Sequence, residues 1–195
     1  MPASAKTSSA TDLALVAVFA ALIAAFSLTP AIPVGVGVPI TLQTLAVVLA
    51  GLVLGPWRGF LATLLYLAVG FAGLPVFAGG AAGLAVLAKP SVGYLLAFPL
   101  GALVAGLLAR LFVAWRGPRQ YLGLFLAGLA ASLVIHAAGI LGLMAVAKLP
   151  FTTAFLTDLT FWPGDLAKMF VASAIAVAVH KAFPALLVLR RPAIA

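Results

Sequence analysis

The chain has 195 residues, of which 66% are hydrophobic and 7% charged, and its net charge is +8. Soluble domains average about 45–50% apolar and about 25% charged residues, so this composition excludes an ordinary soluble protein. The basic residues are few and scattered between apolar runs, which favours membrane topology over nucleic-acid binding as the source of the positive charge. Cysteine is absent, which excludes disulfides, thiolate metal ligands and a cysteine nucleophile.

Apolar runs of spanning length predict an all-α integral membrane bundle of six transmembrane helices. A helix that crosses the bilayer core needs roughly 20 apolar residues, and no polar segment is long enough for a separate soluble domain. We therefore expect a single transmembrane domain over residues 1–195. A short tail precedes the helices, which are predicted over residues 12–28, 40–54, from the Gly55–Pro56 break to 71, 91–112, 121–147 and 164–183.

The connections on the two sides of this bundle differ in character. The segments 29–39, 73–90 and 148–163 are long, apolar loops, the first two rich in glycine and proline, whereas the turns at Gly55 and over 113–120 are short and basic. Irregular backbone near membrane depth must be buried in protein or line a cavity. We therefore expect the three long loops to fold inward and to cover a ligand pocket on the outer face.

The distribution of lysine and arginine predicts the orientation of the bundle. Six helices place both termini on one side, and that side carries more basic residues than the other. Because Lys and Arg favour the cytoplasmic side, both termini are predicted to be cytoplasmic. The basic residues of the cytoplasmic side are Lys6, Arg58, Arg110, Arg116, Arg119, Lys181, Arg190 and Arg191, and those of the outer side are Lys89, Lys148 and Lys168.

Asp165 and Lys168 give the strongest local signal. They lie three residues apart in the first turn of the sixth predicted helix and therefore point to one face. One interpretation is a helix-start acid favoured by the helix dipole beside a lysine that reaches the interface. The other is a polar pair that faces the cavity, where the carboxylate accepts hydrogen bonds from ligand N–H groups and the lysine donates to a carbonyl.

Lys89 immediately precedes Pro90 and the start of the fourth predicted helix. A cation at a helix N-terminus is misplaced unless an anion binds there, so Lys89 and the free amides predict a carboxylate site. The alternative is a loop lysine at an exposed edge. Tyr94, one turn further on, forms part of the pocket wall or of the interfacial aromatic belt.

Other polar side chains in apolar runs also need partners. Gln43 lies at the outer start of the second helix, where neighbouring threonines are explained by capping and interhelical bonding but the glutamine is not. His136 lies mid-helix without an acid three or four residues away, which favours an interhelical hydrogen bond over a proton relay. His180 is expected at the cytoplasmic interface. Ala17, Ala21 and Ala25 form a stripe of small residues suited to close helix contact, either inside the bundle or with another membrane protein.

Catalytic chemistry is poorly supported. No glycine-rich loop with Lys-Ser/Thr is present, so ATP is not expected to bind this chain. No His/Asp/Glu cluster indicates a metal site, and no paired carboxylates or activated serine indicate hydrolysis. The sequence thus predicts a binding or transport protein rather than an enzyme, without cofactor or metal.

Taken together, these segments resemble the BioY family, the biotin-binding S-components of energy-coupling-factor (ECF) vitamin transporters. The resemblance covers nearly the whole chain. Its landmarks are residues 38–44, 73–77 with Gly79, Gly80 and Gly83, 90–94, and 163–166 with Lys168. One landmark departs from the family, which usually has Gly-Pro-Thr-Gly-Gly-Tyr where residues 89–94 read Lys-Pro-Ser-Val-Gly-Tyr.

The resemblance implies capture of biotin at the outer face of a bacterial cytoplasmic membrane. It implies three partners, a transmembrane coupling subunit and two ATP-binding subunits, with the alanine stripe as docking face. Biotin also suits the predicted pocket: its ureido ring matches Asp165 and Lys168, its valerate carboxylate matches Lys89 or the adjacent helix N-terminus, and its apolar rings match the loop that carries Phe77 and Gly79. An S-component for another vitamin, a membrane-embedded lipid-modifying enzyme and a structural assembly subunit remain the alternatives.

Overall fold

A computed structural model of the chain describes residues 9–33 and 37–187, and over these residues it contains seven α-helices. Two short 3₁₀ turns, Ala78–Gly80 and Leu84–Ala88, lie in the connection between the third and fourth helices, and a further one, Pro184–Leu186, follows the last helix. The helices are α1 Ser9–Ser27, α2 Gln43–Leu54, α3 Pro56–Phe71, α4 Val92–Phe112, α5 Pro118–Val146, α6 Phe151–Leu159 and α7 Trp162–Ala182.

The all-α prediction is confirmed, but the prediction that residues 148–163 form a loop was wrong. Nine of these residues form α6, which starts after Pro150 and turns Ala154 and Asp158 inward. The helix is less than half the length of a membrane span and exposes much of its apolar surface, so its sequence does not show an apolar run of spanning length. The predicted tail also ends earlier than expected, because α1 already begins at Ser9.

The start of the second helix was also predicted too early. Ile40 pairs as an isolated β-bridge with Ile32, through backbone hydrogen bonds of 3.0 and 2.9 Å, and the helix begins only at Gln43. Lys6, Arg190 and Arg191, which contribute to the predicted charge asymmetry, lie outside the described residues, as do residues 34–36 of the first loop.

Four of the described helices, α1, α4, α5 and α7, are long and apolar enough to cross a membrane. The helices α2 and α3 are shorter, with 12 and 16 residues. The chain turns sharply between them at Gly55, whose φ of +82° suits glycine. Pro56 follows as the first residue of α3. All of α2 except Thr44 is buried, because α1, α3, α4, α5 and α7 surround it.

The most extensive contact between two of the described helices is that of α4 with α5, and small residues make it possible. A Cβ atom on Gly93 would lie 2.2 Å from the carbonyl oxygen of Ala138, and one on Gly142 would lie 2.7 Å from the Cα atom of Gly93. Backbones approach this closely in membrane bundles only where small residues face each other. This contact fixes the position of α5, which carries His136, relative to the N-terminal end of α4.

We expect Gly142→Leu to destabilise the purified protein in detergent, lowering the free energy of unfolding by about 1–3 kcal/mol through overpacking. Ala145→Leu is the matched control, because Ala145 is exposed on the same helix. Thermal unfolding measures both variants. Equal stability of the two would contradict the close α4–α5 contact.

Candidate functional site

A cavity of about 230 Å³ lies where the N-terminal ends of α2, α4 and α7 meet. Residues 37–41 and the loop between α3 and α4 also line it, and Phe161 lines it from residues 148–163, so each of the three segments predicted to cover a pocket contributes to the lining. One end of the cavity is apolar and aromatic and the other carries charged side chains. A small organic molecule with both kinds of surface suits such a site.

The charged end is built around Asp165, the acid in the first turn of α7. Its Oδ1 atom accepts hydrogen bonds from Lys168 Nζ at 2.7 Å and from Thr44 Oγ1 at 2.9 Å. Lys168 Nζ also donates to Thr44 Oγ1 at 3.1 Å. Asp165 and Lys168 are both buried, so the pair faces the cavity and the interpretation of Lys168 as an interfacial lysine was wrong.

His136 joins this pair from α5. Its Nε2 atom lies 2.9 Å from Asp165 Oδ2, and its Nδ1 atom lies 2.6 Å from Oδ1 of a second acid, Asp158. The interhelical contact expected for His136 is therefore present, and its partners come from α6 and α7. Sequence spacing within α5 could not have identified either of them.

Asp158, which lies on α6, is held by side chains from three other helices. Besides His136, it accepts hydrogen bonds from Tyr94 Oη at 2.8 Å and from Trp162 Nε1 at 3.1 Å. Its side chain is only 1% exposed. The indole of Trp162 also stacks on the His136 ring, with ring centres 4.7 Å apart and planes 19° apart. Asp158 thus ties α4, α5 and α7 to the short helix α6.

Tyr94 owes its position to a glycine. A Cβ atom on Gly139 would lie 2.1 Å from the Tyr94 ring, so only glycine leaves room for the tyrosine between α4 and α5. The ring also contacts Phe161 edge-on, at 5.8 Å between ring centres. Tyr94 is therefore a wall of the cavity, as one of the two sequence interpretations had it.

Phe77 forms the apolar end of the cavity, together with Phe98 and Val86. Its ring packs against Gly70, where any side chain would collide with it, and edge-on against Tyr66 at 5.4 Å. The polar atoms next to Phe77 are joined by a series of hydrogen bonds. Gln43 Nε2 donates to Tyr66 Oη at 2.7 Å, Tyr66 Oη donates to the carbonyl of Val76 at 3.2 Å, and Ser27 Oγ donates to the same carbonyl.

The structure brings six of the seven predicted ligand residues to the cavity. They are Asp165, Lys168, Lys89, Gln43, Tyr94 and Phe77. Lys89 is exposed at the rim, in contrast to the buried Lys168. The exception is Gly79, which does not line the cavity: it occupies an exposed 3₁₀ turn at φ +69°, and its neighbour Ala78 lines the cavity instead.

Two other expectations concern residues away from the cavity. Ala17, Ala21 and Ala25 are exposed on the outer face of α1. His180 was expected at the interface, but it is buried and one of its ring nitrogens, Nε2, lies 2.8 Å from the carbonyl oxygen of Leu52. His180 thus connects α7 to α2 away from the cavity.

The sequence of the chain matches that of a known family over almost its whole length. The BioY family model matches residues 1–185. The chain belongs to the BioY family. Among curated members, the biotin transporter BioY of Rhizobium etli is 43% identical over 179 residues, covering 90% of this chain and 96% of that protein. The biotin transporter BioY of Rhodobacter capsulatus is 39% identical over 192 residues, covering 92% and 98%.

A solved structure supports the same assignment at the level of the fold. The crystal structure of the S-component for biotin from an ECF-type ABC transporter superposes with a TM-score of 0.82 at 28% sequence identity. The match covers 88% of this chain and 92% of the other. The resemblance stated from the sequence is confirmed, and this BioY family member is a multi-pass, all-α membrane protein.

Proposed function

We propose that the chain is a membrane-embedded subunit that binds biotin at the outer face of a bacterial cytoplasmic membrane for uptake. The observation that carries the proposal is the pairing of buried Asp165 and Lys168 in a cavity whose lining also includes the apolar side chains of Phe77, Val86 and Phe98. The family relatives add support, because they are named as biotin transporters.

The hydrogen-bonding capacity of the charged end suits a cyclic urea. A lysine ammonium has three N–H donors, and Lys168 uses two of them on Thr44 and Asp165. One donor remains for the ureido carbonyl. A carboxylate offers about four acceptor sites, and Asp165 has contacts to Lys168, Thr44 and His136. A further site is left for a ureido N–H.

The remaining parts of biotin match the rest of the cavity. Phe77, Phe98 and Val86 offer an apolar surface for the bicyclic body. Lys89 lies at the exposed rim beside the start of α4, where an ammonium and free backbone amides together attract the valerate carboxylate. Gln43 supplies an amide near the aromatic end.

Transport rather than catalysis was the prediction from sequence, and the relatives confirm it, since they are named as transporters. A lipid-modifying enzyme has no support from them, and neither has a purely structural assembly subunit. An S-component for a different vitamin is the competing function, which a ligand comparison decides.

We further propose that the bundle crosses the membrane six times with both termini in the cytoplasm. In this arrangement α2 and α3 complete the crossings made by α1, α4, α5 and α7. Among described residues, Arg58, Arg110, Arg116, Arg119 and Lys181 then lie on the cytoplasmic side, which agrees with the preference of basic residues for that side.

The proposed partners are a transmembrane coupling subunit and two ATP-binding subunits of an ECF transporter. The exposed stripe of Ala17, Ala21 and Ala25 supports contact with another membrane helix, because small residues allow backbones to approach closely. Biotin is then delivered inward by a reorientation powered by ATP hydrolysis on the partners, while the chain itself needs no cofactor.

We expect the purified protein to bind biotin at about one molecule per chain and more tightly than other vitamins. Asp165→Asn and Lys168→Ala should each weaken binding roughly 10- to 100-fold, the value of a hydrogen bond to a charged group. Lys181→Ala, at the exposed far end of α7, is the matched control. Equilibrium binding checks these values, and unchanged affinity in both site variants contradicts the assignment.

Replacing Ala21 by tryptophan should block docking of the coupling subunit without changing biotin affinity. The bulky side chain holds the partner helix away from α1. Leu141→Trp, at another outward position on α5, controls for a tryptophan in lipid. Copurification and ATP-dependent uptake are measured. Normal uptake by the Ala21 variant would remove α1 from the docking face.

Single cysteines test the orientation, because the chain has none of its own. Leu74→Cys in the exposed loop after α3 should react with a membrane-impermeant maleimide in intact cells. Ala114→Cys, in the exposed turn between α4 and α5, should react only after permeabilisation. The reverse pattern would place the termini outside.

A further inference from the structure

His136 lines the cavity, and the proposed function leaves its role unexplained. Its side chain is 4% exposed, and each ring nitrogen faces a carboxylate oxygen, Nδ1 towards Asp158 at 2.6 Å and Nε2 towards Asp165 at 2.9 Å. A neutral imidazole carries one N–H and one lone pair. If the His136 ring were neutral, one of its two nitrogens would present a lone pair to a carboxylate oxygen, which is unfavourable unless a further proton lies between the two atoms.

Charge balance indicates where that proton is held. The titratable groups that face the His136 ring are Tyr94 from α4, Asp158 from α6 and Asp165 from α7, with Lys168 directly behind Asp165. Two carboxylates and one ammonium leave one negative charge in excess in a buried site. Uncompensated charge is costly there, and a doubly protonated imidazole removes it while giving both ring nitrogens a proton to donate.

Asp158 does not line the cavity, so it can act on a ligand only through other residues. Its oxygens are occupied by Tyr94, Trp162 and His136. Trp162 covers the face of the His136 ring. The ring is therefore fixed from both its edge and its face, and its Nε2 atom meets the carboxylate of Asp165, a cavity-lining residue, at 2.9 Å.

We propose that His136 is a positioning residue: a charged imidazolium, held by Asp158, that keeps the Asp165 carboxylate ionised and fixed in orientation for the ligand. This inference rests on the proposed function for the identity of the ligand. The proposal goes beyond that function because it assigns part of the ligand's affinity to His136 and Asp158, which the ligand itself need not touch. It also makes that affinity dependent on pH.

The charge state can be measured without any ligand. Nitrogen-15 spectra of histidine-labelled protein in detergent should show both ring nitrogens of one histidine protonated at neutral pH. The chain has two histidines, so the His136→Gln variant identifies the signal by its loss. A spectrum in which the assigned ring carries a single proton overturns the proposal, and it does so even if the variant is too unstable for binding studies.

The effect on the ligand is measured with biotin. His136→Gln should weaken binding at least about tenfold, because it leaves a buried carboxylate without its counter-charge. In the wild type, the protonated ring is the binding form, so affinity should fall as pH rises and the ring loses its proton. The variant should lack this step. His180→Gln, which removes the other buried histidine, should keep both the affinity and the step.

A second substitution separates charge from shape. Asp158→Asn combined with His136→Gln removes one positive and one negative charge, so the double variant is balanced again. It should recover part of the affinity lost in His136→Gln alone. If His136→Gln binds biotin like the wild type at every pH, or if the double variant is weaker than the single variant, the proposal is wrong. Absence of biotin binding by the wild type would instead refute the proposed function, and the spectra would still decide the charge of His136.

Discussion

The structure depends on a constraint of electrostatics: charged side chains buried between helices are stable only when they are paired and hydrogen-bonded. The chain has three acids in total, and two of them, Asp158 and Asp165, lie buried within reach of His136. Lys168 adds a further cation to Asp165. Because these groups come from α5, α6 and α7, their pairing requires the three helices to hold fixed positions relative to one another.

Small residues let the rest of the bundle meet this requirement. Gly93 and Gly142 bring α4 against α5, and Gly139 leaves space for the Tyr94 ring. Tyr94 can then reach Asp158 with its hydroxyl group. The same tyrosine forms a wall of the cavity. Packing of the helices, satisfaction of the buried acid and the shape of the ligand site are thus set by the same few contacts.

The sequence predicted what depends on local spacing and composition. The apolar runs indicated the long helices, and three-residue spacing placed Asp165 and Lys168 on one face. It could not predict the partners of His136, because Asp158 meets it across 22 residues of chain and from a helix too short to show a spanning run. Gly79 does not line the cavity, because it lies in an exposed 3₁₀ turn closed by hydrogen bonds of Phe77 with Gly80 and Ala81, and the glycine-rich sequence did not specify this conformation.

Charge balance also bears on how the proposed ligand is oriented. If His136 is an imidazolium, the deep end of the cavity is electrically neutral before the ligand arrives, and it offers single donor and acceptor sites on Lys168 and Asp165. A neutral ureido ring fits such an end, whereas a carboxylate placed there would add an uncompensated negative charge. Lys89 lies at the exposed rim, outside this neutral buried end, and its positive charge can therefore attract a carboxylate. The acid group of biotin is therefore directed to the rim by repulsion at one end as much as by attraction at the other.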